Sequence, residues 1–493
     1  MHAISRRAFL EGSGRAALGL AVASNAWLLQ SCGSSGNKWA ALAAQLDGQL
    51  LLPSNPLYPT TGLSENTIAA GIRPAAIALC ANAHDVQTCV VWAQNHDVPL
   101  VAQSGGHSYG GYSTTRGLMI SVRPINGVSF DRETQIATIG SGMQLGNLYN
   151  TLFSQGFFVP AGRCTSVGIA GFVLGGGFGF ETRRFGLTSD RMMETEIVTA
   201  DGEVLVCNET QNSDLFWACR GGGGGNFGIN TSFTMQALPI VPTTYGKVVW
   251  SFDDVEAVWT ELQEIAITAP DAMGMRNGIA RSRASVGAAS TDSVSALFIY
   301  FGPEDEAREL LAPALNAAPP TEFTILTGTI ADATNFVAEE SSPNAFLAKS
   351  AYAEVPFPAA GISTVVDFFH RWPDSSRAGV FDLHTVGGVS NAVSRTATAY
   401  VHRGAQACFE YEADWFPDAT PGQIAENVAW VEALGEAVRP YFNGEAYQNF
   451  IDPTLLGWEQ AYYAENFERL VEVKRMYDPR NVFHFPQSIP VES

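Results

Sequence analysis

Between residues 69 and 238 short apolar runs alternate with stretches whose apolar positions recur every three or four residues, a pattern that predicts strands interleaved with helices. Pro74-Ala-Ala-Ile-Ala-Leu79 reads as a strand, residues 85–95 as a helix opened by Asp85 as its cap, and Pro99-Leu-Val-Ala-Gln103 as a second strand. Together they form a βαβ-like unit. Residues 117–122 and 135–139 predict further strands, 144–155 a helix, and Ile229-Asn-Thr-Ser-Phe-Thr-Met235 a strand by its strict alternation. Beyond about Pro239 the glycine density falls, and residues 247–252, 296–301 and 379–386 read as strands among helices. Near the end, Tyr463, Phe467, Leu470 and Val471 fall on one helix face, and Asp478-Pro479 stops that helix. Residues 34–67 are polar and proline-rich enough to be a lead-in. No period of 20–50 residues repeats, which sets solenoids and propellers aside.

Charge narrows the partners. The chain has 493 residues with 28 Lys+Arg against 49 Asp+Glu, a formal charge of −21. So acidic a surface presents the wrong field to nucleic acid and to anionic membranes. With 46% hydrophobic and 16% charged residues the composition is globular, and the length predicts two domains. The eight histidines form no HExxH or closely spaced Cys/His set, so no metal is expected. Seven cysteines are too few for a disulfide scaffold, and Cys80, Cys89, Cys207, Cys219 and Cys408 read mostly as buried small hydrophobes.

The N-terminus reads as an address. Ser5-Arg6-Arg7-Ala8-Phe9-Leu10 is a twin-arginine pattern, and an apolar stretch over residues 16–29 follows it, too short to span a bilayer. The expectation is export of an already folded protein, periplasmic or extracellular. Leu29-Gln30-Ser31-Cys32 also resembles a lipoprotein box, which would anchor the chain through a lipid on Cys32.

Three glycine blocks carry the candidate chemistry. Gly223, Gly225 and Gly228 satisfy G-x-G-x-x-G, but strand-like residues follow where a dinucleotide loop must open a helix. Gly106-His-Ser-Tyr-Gly110 matches the nucleophile elbow of serine hydrolases, with Ser108 as nucleophile, yet the glycines and adjacent threonines after it oppose the required helix. The alternative reading takes His107 with Gly105, Gly106, Gly110 and Gly111 as a backbone cradle for a pyrophosphate. A second nucleophile, Cys164, recurs in Gly162-Arg-Cys164 just before the next block. An imidazole and a thiol, each beside a cradle, form the pair needed to tether a flavin ring at two carbons.

Ser104-Gly-Gly-His-Ser-Tyr109, Gly162-Arg-Cys164 with residues 167–179, Phe216-Trp-Ala-Cys-Arg-Gly-Gly222, and the tail Tyr477-Asp-Pro-Arg-Asn-Val-Phe-His-Phe-Pro-Gln-Ser488 together resemble the berberine-bridge-enzyme-like flavoprotein oxidases. The resemblance implies an α+β protein of the vanillyl-alcohol-oxidase superfamily. Its parts would be a signal segment at 1–32, the lead-in at 33–68, a two-subdomain PCMH-type FAD-binding domain at 69–240, an α/β substrate domain with an antiparallel sheet at 241–440, and a flavin-covering segment at 441–493. It implies FAD bound through His107 and Cys164, with contacts from Ser104, Gly105, Gly106, Ser108, Val167, Gly168, Gly171, Gly228, Ile229, Asn481 and Phe483. It implies that Tyr447, in Tyr-x-Asn, removes a hydroxyl proton while hydride passes to the flavin. Asp382 would serve as proton acceptor in a relay, with His384 on the same strand face able to do the same work, and Tyr109 would contact substrate. Phe450 departs from relatives that carry a second tyrosine there. Val167 resembles the small residue of members that admit oxygen, so a hydrogen peroxide-releasing oxidase is expected. Its small-molecule substrate is expected to be an oligosaccharide oxidised at the reducing end to a lactone, or else an alcohol or ring of a secondary metabolite.

Overall fold

The computed structural model describes residues 38–492, so the twin-arginine pattern and Cys32 lie outside the described residues. The chain divides into a short unit ending at Ala44, helical in its described part, and one compact unit from Gln45 onward. No helix among the described residues is long and apolar enough to cross a membrane.

The βαβ expectation holds with one strand inserted. Strands Ala76–Leu79 and Leu100–Gln103 both run parallel to Leu118–Ser121, which lies between them, and helix Ala83–Asn95 makes the crossover. Asp85 is not its cap. Asn82 caps the helix by accepting the Asp85 N–H, while the fully buried Asp85 carboxylate accepts the N–H groups of Asp47, Gly48 and Ala81. The first two amides lead into strand Gln49–Leu51, which pairs antiparallel with Ala76–Leu79, and the third follows that partner strand. Part of the expected lead-in is therefore an edge strand, held because a buried carboxylate needs donors and these amides need an acceptor.

A second sheet of five antiparallel strands has Ile229–Gln236 at its centre, flanked by Ile136–Gly140 and Met192–Val198. Its alternation puts Phe233 and Met235 into a core with Leu148 and Leu152 of helix Leu145–Phe153 and Ile169 and Val173 of helix Ile169–Leu174. Cys207 and Cys219 join that core, and Cys80, Cys89 and Cys408 are buried too, all with free thiols.

The largest sheet has seven antiparallel strands in the order Glu322–Thr329, Pro242–Trp250, Thr291–Tyr300, Met273–Ser282, Ser376–Thr385, Ala407–Trp415, Ala345–Ala353. One face packs Phe381, Leu383, Phe409 and Tyr411 against helices Val255–Thr268, Ala359–His370 and Pro421–Val438. Period-two alternation then sends Asp382, His384, Glu410, Glu412 and Asp414 to the opposite face. A single substitution of register would exchange these two sets, so the sheet's polar face is fixed by the apolar one.

The tail is not one helix from Tyr463. Helix Trp458–Tyr463 ends at Ala464, whose φ of 41° is left-handed, and a new helix runs Phe467–Tyr477 with Asp478 at its C-terminal cap. Leu470 and Val471 still pack inward, and the Tyr463 and Phe467 rings stack with centroids 6.4 Å apart. Lys474 is fully buried: its ammonium binds Asp478 and donates to the carbonyls of Asn226 and Phe483. The tail is thereby fastened to the third glycine block.

Candidate active site

Loops and strands of the two smaller sheets, part of the large sheet and the tail enclose a cavity of about 700 Å³, inside the roughly 300–1,000 Å³ typical of ligand sites. The three glycine blocks form one side, the tail residues Phe483, Phe485 and Gln487 another, and the polar face of the large sheet a third. Arg163 and Arg377 are the cations among its described lining residues, and each is paired, to Glu339 and to Asp414.

Both nucleophiles line the cavity. The His107 ring Nε2 lies 3.0 Å from the Oγ of Ser166, two residues from Cys164 in the chain, and Ser166 Oγ lies 2.8 Å from Ser341 Oγ. Burial, with the Arg123 charge, pushes the His107 pKa down to about 4, so the ring is neutral and keeps a free lone pair at neutral pH. Burial raises the Cys164 thiol, against the pull of its serine partners and Arg163. Arg123 braces the histidine loop by donating to the carbonyls of Ser104 and Gly105.

The cavity fits a flavin dinucleotide. A Cβ added at Gly171 would meet nothing within 4 Å, so the helix presents bare backbone to open space. Gly223 and Gly225 sit at φ of +86° and +76°, an alternation of the kind that forms anion-binding nests. Backbone thus supplies the cradle where basic side chains are lacking. The third glycine block, whose letters match a Rossmann loop, leads into strand Ile229–Gln236 and not a helix, yet Gly223, Gly224 and Gly225 line the cavity. Sequence reasoning missed them because it tested that block only against a helix-opening motif.

Tyr447 is 2% exposed and lines the cavity, with Phe178 and Phe450 packed against its ring. Its oxygen accepts from the Gly177 N–H at 3.1 Å and from Asn449 Nδ2 at 3.0 Å. Burial pushes the phenol well above its ordinary pKa, and these two donors pull it back. Two donors aimed at one phenol oxygen favour the tyrosinate, which gives Asn449 a function that the Tyr-x-Asn spacing only hinted at. Gln448 ties the segment down, donating to the carbonyls of Gly175 and Gly221.

The other expected residues divide. Ser104, Gly105, Gly106, Ser108, Tyr109, Val167, Gly168, Gly171, Gly228, Ile229 and Phe483 all line the cavity. Tyr109 donates to Glu410 at 2.8 Å and stacks on Phe450. Asn481 does not line it: at φ of 52° it forms the turn after the last helix. Asp382 is 2% exposed and is also outside the lining, bound instead by Arg276. From the adjacent strand Glu410, Glu412 and Asp414 do line the cavity, as do Glu65, Glu339 and Glu340, and His384 Nε2 lies 3.4 Å from Glu410. Asp382 shares the polar face with Glu410, but the ion pair with Arg276, beside Gly278 on the neighbouring strand, ties it up. Ser108 is no nucleophile elbow, since its hydroxyl accepts the Tyr112 N–H and no helix follows it among the described residues.

A backbone-lined dinucleotide cavity closed by a returning tail defines an FAD-dependent enzyme. Residues 74–208 match the family model described as FAD binding domain, and 446–490 match berberine and berberine like. An uncharacterized FAD-linked oxidoreductase of Bacillus subtilis is 32% identical, the match covering 90% of this chain and 97% of the relative. Reticuline oxidase of Eschscholzia californica is 27% identical over 88% of this chain and 85% of its own. The solved structure of Physcomitrella patens BBE-like 1 superposes with a TM-score of 0.82 at 27% identity, covering 92% of this chain and 99% of that one. A chitooligosaccharide oxidase structure superposes with a TM-score of 0.80 at 25% identity and the same coverage. The chain belongs to the berberine-bridge-enzyme-like FAD-linked oxidoreductases, and the expected α+β architecture is theirs.

Proposed function

We propose that the protein is an exported oxidase that holds FAD covalently through His107 and Cys164, oxidises a carbinol or hemiacetal carbon and releases hydrogen peroxide. Both nucleophiles line one cavity, and Ser166, two residues from Cys164, contacts His107, which supports the double tether. When bound, the flavin supplies a two-electron acceptor for the substrate's hydride. Tyr447 takes the hydroxyl proton at its oxygen, held ready by Gly177 and Asn449. Tyr109 and Phe450 offer stacked ring faces beside it for the substrate. Val167 lines the cavity three residues after Cys164, where a small side chain leaves a path for oxygen. Export by the twin-arginine route suits a protein that must take up its cofactor before leaving the cytoplasm.

An oligosaccharide reducing end, oxidised to a lactone, is the favoured substrate. A neighbour of the same fold is a chitooligosaccharide oxidase. A secondary-metabolite alcohol is the second reading, favoured by relatives named reticuline oxidase and monolignol oxidoreductase. A peroxide-coupled screen of sugars, alcohols and phenolic glycosides tests the proposal. The expected result is substrate-dependent peroxide from wild type and not from Tyr447→Phe; equal rates from both proteins would refute the assignment of the base.

A further inference from the structure

One wall of the cavity carries more carboxyl groups than a neutral polyol requires. Strand Ala407–Trp415 presents Glu410, Glu412 and Asp414 at alternate positions, and all three line the cavity. Glu410 is occupied by Tyr109 and His384. Asp414, 4% exposed, is bound at Oδ2 by Arg377 and Asn344, while its Oδ1 has no partner among the described residues. Glu412 has no hydrogen-bond or ion-pair partner at all among the described residues. The cations nearby are committed elsewhere, Arg276 to Asp382 and Arg163 to Glu339.

An unpartnered carboxylate in a partly desolvated site is costly unless something positive completes it. Glu410 and Asp414 from its own strand and Asp382 from the neighbouring one face it, with Arg276 alone among its main influences acting to offset them. Burial and these carboxylates push Glu412 well above the usual carboxylate range. Its ionised form is thus disfavoured by these neighbours, and a bound cation would stabilise that form. A metal ion is poorly suited, because two of the three strand carboxylates already have donors or cations on them. A protonated amine, with three donors and one charge, matches one free carboxylate and one free carboxylate oxygen.

We infer that the alcohol this enzyme oxidises also carries a protonated amine, seated against Glu412 with Asp414 Oδ1 as its second acceptor. This rests on the proposed oxidation of a carbinol carbon for the reaction, though the amine site can be measured without it. An amino sugar and an amino-alcohol secondary metabolite share the required chemistry.

The test is equilibrium binding to the holoenzyme at fixed ionic strength, using glucosamine against glucose and N-acetylglucosamine, and 2-amino-1-phenylethanol against 1-phenylethanol. In at least one set the amine should bind roughly tenfold or more tightly than its neutral counterpart, as a charge-assisted hydrogen bond allows. In Glu412→Gln that preference should collapse, and the set that shows it identifies the sugar or the metabolite as source. Amine and neutral probes binding alike in both sets, no measurable binding of either amine, or a preference that survives Glu412→Gln would each overturn the inference. Amine preference without peroxide from any alcohol would instead leave the amine site at Glu412 standing and remove the oxidase reading.

Discussion

Replacing Asn449 by leucine isolates the step that makes Tyr447 a base. Its Nδ2 donates to the phenol oxygen at 3.0 Å, and the Gly177 N–H at 3.1 Å remains when it is gone. Hydrogen bonds to charged groups contribute roughly 1.5–3 kcal/mol, and one pKa unit is about 1.36 kcal/mol. Losing this donor should therefore raise the phenol by about one to two units beyond the rise that burial already causes. The tyrosinate is the working form, so at any pH below its pKa a higher pKa means less of it. At neutral pH kcat/KM should fall roughly tenfold to a hundredfold, and the rising limb should move up by the same one to two units. Leucine keeps the volume that packs against Gly175, though it also frees the Phe172 carbonyl. Purely structural damage would lower the whole profile without moving its limb. The assay is the pH profile of kcat/KM on protein of matched flavin content; a limb that stays in place refutes the role given to Asn449.

Gly171→Val fills space that the protein leaves open, so the variant should fold with an unchanged thermal midpoint and a reduced flavin-to-protein ratio by absorbance; undiminished flavin content would show that the cofactor lies elsewhere. Lys474→Met leaves the fully buried Asp478 without its cation and should cost about 3–5 kcal/mol, read as a lower urea midpoint, and an unchanged midpoint would show that the pair does not hold the tail. After anaerobic reduction by substrate, mixing with oxygen should reoxidise the protein faster than free reduced flavin. Reoxidation at the free-flavin rate would make it a dehydrogenase.

Elements written in local periodicity were legible from the sequence: the parallel unit, the central strand Ile229–Gln236, and the polar face on which His384 sits. What stayed hidden depends on contacts between distant residues. Asp85 caps well by local rules, but it is spent on amides some 37 residues away, beyond any local pattern. Asp382 and Glu410 occupy adjacent strands of one face, and only the position of Arg276 decides which of them is tied up and which reaches the cavity. Ser166 lies two residues from Cys164, yet its contact with His107 crosses 59 residues of chain.

The claim on which the rest stands is that one flavin is bonded to both His107 and Cys164. Acid precipitation of the purified protein measures it directly: the yellow colour should stay with the pellet for the wild type and for each of the single variants His107→Ala and Cys164→Ala, and pass to the supernatant only for the double variant, whereas release from either single variant would show one tether and not two. Flavin released from the wild type would contradict the double tether.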